Sequence, residues 1–152
     1  MRLVEANEHH LIFEISTEQR LLLEHALRCY PVDFEEDPIS RNGPEELEES
    51  GRLLAEALAD SRAENRRTVG RFVREPDRFE ETGDGCRFKL QRSRINWLLE
   101  VLNDVRVGNW HLLGRPDLET LARDAGPEVT EKVFTMQLCA WFETALLEAL
   151  KP

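Results

Sequence analysis

The sequence predicts an α+β domain that is mainly α: a helical bundle around a central C-terminal helix, with a small two-stranded antiparallel sheet. Three observations predict it. Two short runs, "HLIFEIS" (His10 to Ser16) and "CRFKL" (Cys86 to Leu90), have the length and apolar alternation of strands. Several longer runs repeat their apolar residues at helical spacing. The last of these, Val133 to Leu150, is apolar around so much of its circumference that it predicts a helix enclosed by its neighbours. With 152 residues the chain forms a single domain, 1–152, large enough to bury a core without metal or disulfide help.

In the first strand Leu11, Phe13 and Ile15 alternate with Ile12 and Glu14. Ser16 and Gln19 then form the capping-box pattern, and the helix they open buries Leu22, Leu23, Ala26 and Leu27 before stopping at Pro31. From Pro31 to Pro44 the chain is acidic, rich in turn residues and without periodicity, which predicts a loop. Pro44 suits a first helical position, and Glu45 and Glu46 lie where the helix dipole favours carboxylates. Leu47, Gly51, Leu54 and Leu58 mark the buried stripe of this long helix. Its continuation through Val69, Phe72 and Val73 is opposed by Gly70, which costs about 1 kcal/mol relative to alanine and favours a break.

"ETGDGC" (Glu81 to Cys86) is turn chemistry leading into the second strand, and a helix follows over Ile95 to Leu113. Gly114 caps it. "RPDLETLARDAGP" predicts a short helix begun at Pro116 and ended before Gly126, and Pro127 opens the last helix. That helix carries two apolar stripes, one through Val129, Val133, Met136, Ala140 and Leu147, the other through Phe134, Leu138, Trp141 and Ala145. A shift of 75 positions sets Phe13 on Phe88, Ile15 on Leu90, and Leu22, Leu23, Ala26 and Leu27 on Trp97, Leu98, Val101 and Leu102. Chance alignment of two strand-helix patterns competes with a true repeat. A true repeat predicts that the two strands pair about a pseudo-twofold axis.

Charge narrows the classes of partner. The formal net charge is -10, yet residues 62 to 94 carry ten basic and six acidic side chains. The overall field opposes nucleic acid and anionic membrane, so a protein partner, a second copy of the chain included, is favoured over both. Arg62, Arg66, Arg67, Arg71, Arg74 and Arg78 supply the alternative, a nucleic-acid-binding regulator; the competing reading keeps them as internal partners of the acidic Asp33 to Glu49 region. Cys29, Cys86 and Cys139 are too scattered for zinc or a disulfide framework and suit a reducing cytoplasm. No signal peptide is visible at the start, and the last helix is too polar for a membrane span.

The most pointed feature is "LNDVR" (Leu102 to Arg106), an amide, a carboxylate and a guanidinium within a helix. Asn103, Arg106 and Trp110 share one helix edge; Glu100, Asp104, Gly108 and His111 share the other. The structural reading pairs Arg106 with a carboxylate of another helix and gives Asn103 to a neighbouring loop. The functional reading makes Asn103, Asp104, Arg106, Trp110 and His111 a partner-binding patch, on a helix that Gly108 keeps narrow. If the patch is functional, Arg106→Ala weakens capture and leaves the melting temperature alone. Glu100, Asp104 and His111 lack the paired Glu-x-x-His of a helical metal site, and His9, His10 and His25 show no shared ligand spacing. The acidic run lacks a calcium-loop pattern. No nucleophile elbow, phosphate loop or HExxH occurs, so a non-enzymatic role without a cofactor is favoured, and an enzyme for a small anionic substrate ranks last.

"LNDVRVGNWHLLG" (Leu102 to Gly114), with "AWFETALLEAL" near the end, resembles a bacterial family catalogued as domain of unknown function two-zero-one-seven. Leu102, Asn103, Asp104, Arg106, Leu113, Gly114, Trp141 and Leu146 fill the family's places over about half the chain, and the Trp110 and His111 pair departs from it. That family has no established activity. Its members are sometimes encoded beside the adaptor of the Clp protease and sometimes labelled transcriptional regulators. The resemblance implies a cytoplasmic bacterial regulatory or adaptor module.

Overall fold

In the computed structural model, which describes residues 1–34, 45–121 and 126–151 (the backbone alone at 45–47, 118 and 120), the sheet has four strands, not two. The strands are β1 (Arg2–Ala6), β2 (His10–Ile15), β3 (Phe79–Thr82) and β4 (Gly85–Gln91), in the antiparallel order β1-β2-β4-β3. The two strands expected from the sequence pair at the centre, with Phe13 opposite Phe88 and their rings stacked 6.0 Å apart. The added strands lie at the edges. They escape an apolar-alternation reading because β1 is exposed along its whole length and β3 is exposed beyond Phe79, so neither needs a greasy face.

The helices are α1 (Thr17–Arg28), α2 (Glu45–Arg74), α3 (Ile95–Leu112), the short α4 (Leu118–Leu121) and α5 (Pro127–Ala149), with a 3-10 turn at Arg92–Arg94. Ser16 caps α1 by the expected box: its hydroxyl accepts from the Gln19 amide at 3.1 Å, and the Gln19 side chain accepts from the Ser16 amide at 3.2 Å. At the end of α3, Gly114 has φ +80°. Its N–H donates to the His111 carbonyl while that of Arg115 donates to the Trp110 carbonyl, the two bonds of a Schellman motif. The expected loop from Pro31 to Pro44 and the end of the helix expected before Gly126 fall partly outside the described residues.

The repeat at 75 positions extends over the element order. A hairpin followed by two helices, β1-β2-α1-α2, recurs as β3-β4-α3-α5 with α4 interposed, and α2 and α5 end 75 residues apart at Arg74 and Ala149. The register of β2 on β4 sets the pseudo-twofold between Phe13 and Phe88.

Two further expectations require correction. The enclosed helix is α3, where Leu98, Val101, Leu102 and Val105 are all fully buried among the sheet, α1 and α5. In contrast, α5 lies on the outside. It packs against α3 and α1 through Thr135, Leu138, Cys139, Phe142 and Leu146, and leaves Phe134, Trp141 and Leu147 in solvent. An apolar circumference therefore marks a helix with two apolar faces, of which the described residues cover one. The second correction concerns α2, which runs through Gly70 without a break because Val69 and Phe72 on either side of the glycine are buried. Its expected buried stripe is buried only at that end; Leu54 and Leu58 are exposed. Among the described residues no helix is long and apolar enough to cross a membrane.

Candidate functional site

The "LNDVR" side chains stand on opposite flanks of α3, each engaged within the chain. On the flank beside α5, the Arg106 Nε lies 3.1 Å from the Glu143 Oε2, and its Nη2 donates to Asn103 Oδ1 at 2.7 Å. The Nε contact is an ion pair without hydrogen-bond alignment. Burial pushes the Glu143 carboxyl above its ordinary pKa, and the Arg106 guanidinium opposes that rise. Trp110 donates from Nε1 to the Pro116 carbonyl at 3.1 Å. On the flank beside α2, Asp104 lies 3.8 Å from the Arg62 Nε, and the His111 ring stacks on Phe34 at 4.5 Å while its Nδ1 accepts from Arg115. The five residues thus form two groups, Asn103, Arg106 and Trp110 on one flank and Asp104 and His111 on the other, which meet where the Trp110 and His111 rings pack edge to face at 5.4 Å. The space spared by Gly108 is taken by Val32, whose Cβ would lie 2.6 Å from an added Cβ.

Glu143 connects this margin to the outside of α5. Ala140 and Leu147 sit one turn to either side of Glu143, so they border the Arg106 edge of α3. From there the outward face runs through Val133, Gln137, Ala140, Trp141 and Thr144, with Phe134 beside Trp141. Phe134 is 47% exposed, Trp141 43% and Leu147 51%. Between Val133 and Leu147 the only charged residue is Glu143, and it faces inward on Arg106 with its side chain 13% exposed. A chain that is 33% charged has here an uncharged, aromatic surface about 21 Å long, at 1.5 Å per helical residue. The signal was present in the sequence as the absence of a polar face on the last helix.

The arginine series is dispersed. Arg62 meets Asp104 and lies over the Phe34 ring, Arg67 and Arg71 both bond Glu64, and Arg74 donates to its own helix at the Gly70 carbonyl. Arg78 is buried, at 4% exposure. It donates to the Lys89 carbonyl and to Glu75 and lies over the Phe72 ring at 4.1 Å, tying the end of α2 to β4; burial lowers its pKa and Glu75 opposes the shift. Arg71, Arg74 and Arg94 still line one open cavity of about 460 Å3, with Thr68, Phe72 and Glu75.

Among the described residues no group of three His, Cys, Asp or Glu side chains could hold a metal ion, and the Glu100, Asp104 and His111 set forms none. His25 lies 3.9 Å from the Cys29 sulfur, while His9 and His10 pack edge to face. Burial raises all three cysteine pKa values, that of Cys139 to about 12, so the thiols are poor nucleophiles. No protein-family model, curated protein or solved structure matches the chain.

Proposed function

We propose that the chain is a non-enzymatic regulatory or adaptor module that binds a protein partner, with the outward face of α5 as the centre of contact. One observation carries this: Phe134, Trp141 and Leu147 stand in solvent on a helix face free of charge. Interface cores are depleted of charge and enriched in aromatic residues, with polar groups at the rim. Asn103, Arg106 and Trp110, on the adjoining edge of α3, supply such a rim; Asp104 stands apart from it on the far flank, and His111 reaches it only through its ring contact with Trp110. A cytoplasmic bacterial setting, as the sequence resemblance implies, is part of the same proposal.

The test is capture from lysate of the native cell by immobilised wild-type chain and by Phe134→Ser and Trp141→Ser variants. Loss of a captured protein in both variants, with unchanged helical circular dichroism, supports the assignment. Equal capture by all three chains refutes it. The second reading, nucleic-acid binding, rests on the three guanidinium groups of the Arg71, Arg74 and Arg94 cavity. It requires a gel shift that falls steeply with salt and is lost in Arg71→Ala/Arg94→Ala.

A further inference from the structure

We propose that the occupant of the α5 face is a second copy of this chain, paired antiparallel helix to helix about Ala140. This inference rests on the reading of α5 as a contact surface and names the partner.

Charge is the first argument. Two copies each carrying a net charge of -10 repel at a distance, and they associate only where the contact itself adds no like charge. The outward face meets that condition over Val133 to Leu147, with its single carboxylate turned inward and neutralised by Arg106. A basic partner would instead be met by exposed carboxylates, and this face offers none along that span.

The order of residues is the second argument. A twofold contact requires a surface complementary to itself when reversed. Along the outward face the sequence runs apolar, polar, small, polar, apolar: Val133, Gln137, Ala140, Thr144, Leu147. Antiparallel pairing about Ala140 brings Val133 beside the other copy's Leu147, and Gln137 beside its Thr144, to within one residue. The two Ala140 methyls mark the closest approach, and Phe134 and Trp141 line one edge of the contact. The opposed helix dipoles add a favourable term. About ten residues a side is roughly half a standard interface, so the dimer is weak and reversible.

Sedimentation velocity of the full chain from about 1 µM to about 500 µM reads the association directly. The wild type is expected to pass from one monomer mass to two over that range. Gln137→Glu/Thr144→Glu, which sets carboxylates against carboxylates across the twofold, is expected to stay monomeric. Gln137→Lys/Thr144→Glu, which sets opposite charges together in an antiparallel pair only, is expected to dimerise at least as well as wild type. Both positions changed, Gln137 and Thr144, are exposed on α5, so the fold is kept. A wild type that remains monomeric throughout, or a dimer that both double variants leave alike, overturns the inference. A monomeric chain that still loses a captured protein in Trp141→Ser leaves the contact surface standing and removes only its assignment to a second copy.

Discussion

Arg106→Ala tests whether the guanidinium in "LNDVR" serves the fold or a partner. In the folded chain its Nε lies 3.1 Å from a Glu143 carboxylate that is 13% exposed, while Arg106 itself is 41% exposed. Breaking a fully buried pair costs about 3–5 kcal/mol, and an exposed pair contributes about 0–1 kcal/mol. With one partner buried and the other partly solvated, the expected loss at pH 7 is about 1–2 kcal/mol, or about 3–6 °C in Tm at this chain length. The pH dependence is more telling than the size. Burial raises the Glu143 pKa above its ordinary 4.5, so ionised Glu143 destabilises the fold once the pH passes its folded pKa, and that cost is absent below pH 4.5. Removing Arg106 raises the folded pKa further and deepens the neutral-pH cost without touching the acid end. Thermal unfolding of wild type and Arg106→Ala should therefore diverge at pH 7 and converge toward pH 4.5. Glu143→Gln added to Arg106→Ala should restore the loss. A deficit equal at both pH values, or no rescue by glutamine, would refute the ion-pair account. If the double variant regains stability but not partner capture, Arg106 belongs to the contact rim as well.

Gly85→Ala should destabilise the chain by about 1–3 kcal/mol in urea unfolding, because its Cβ would stand 2.5 Å from the Ile15 carbonyl oxygen, a backbone atom that cannot rotate away. Trp97→Phe should cost about 0.5–1.5 kcal/mol by the same assay, through loss of the 3.2 Å bond from the indole N–H to Asn65 that fastens α3 to α2; an unchanged midpoint would show the bond to be dispensable. In thiol titration of the native chain at pH 8, Cys86 and Cys139 should stay unreactive and partly exposed Cys29 should react slowly, with all three reacting in denaturant. Rapid native labelling of Cys139 would contradict its burial.

What the sequence made legible follows from where each segment's partners lie. The β2 and β4 strands, the capped α1 and the α3 helix were readable because each presents one periodic face to a core within the chain. β1 was not, since an edge strand held by backbone bonds on one side needs no apolar alternation, and "RLVEA" has little. α5 misled for the opposite reason: its residues declare two buried faces, but periodicity is silent on whether the second is covered by this chain or by another. The same silence hid the candidate site. "LNDVR" stands out because polar groups interrupt an apolar helix, yet Asn103, Asp104 and Arg106 largely satisfy one another and their neighbours, and the unspent surface lies next door on a stretch whose outward face carries no charge to mark it.

The twofold between Phe13 and Phe88 also governs how the chain reaches this state. A bundle of neighbouring helices assembles from contacts close in sequence, but the central strand pair here joins positions 75 apart, Phe13 to Phe88, so the sheet is complete only once the second hairpin has found the first. Closing a loop of that length costs about 4 kcal/mol of chain entropy before any packing returns it. Folding is thus set by a meeting of two halves rather than by growth from one end.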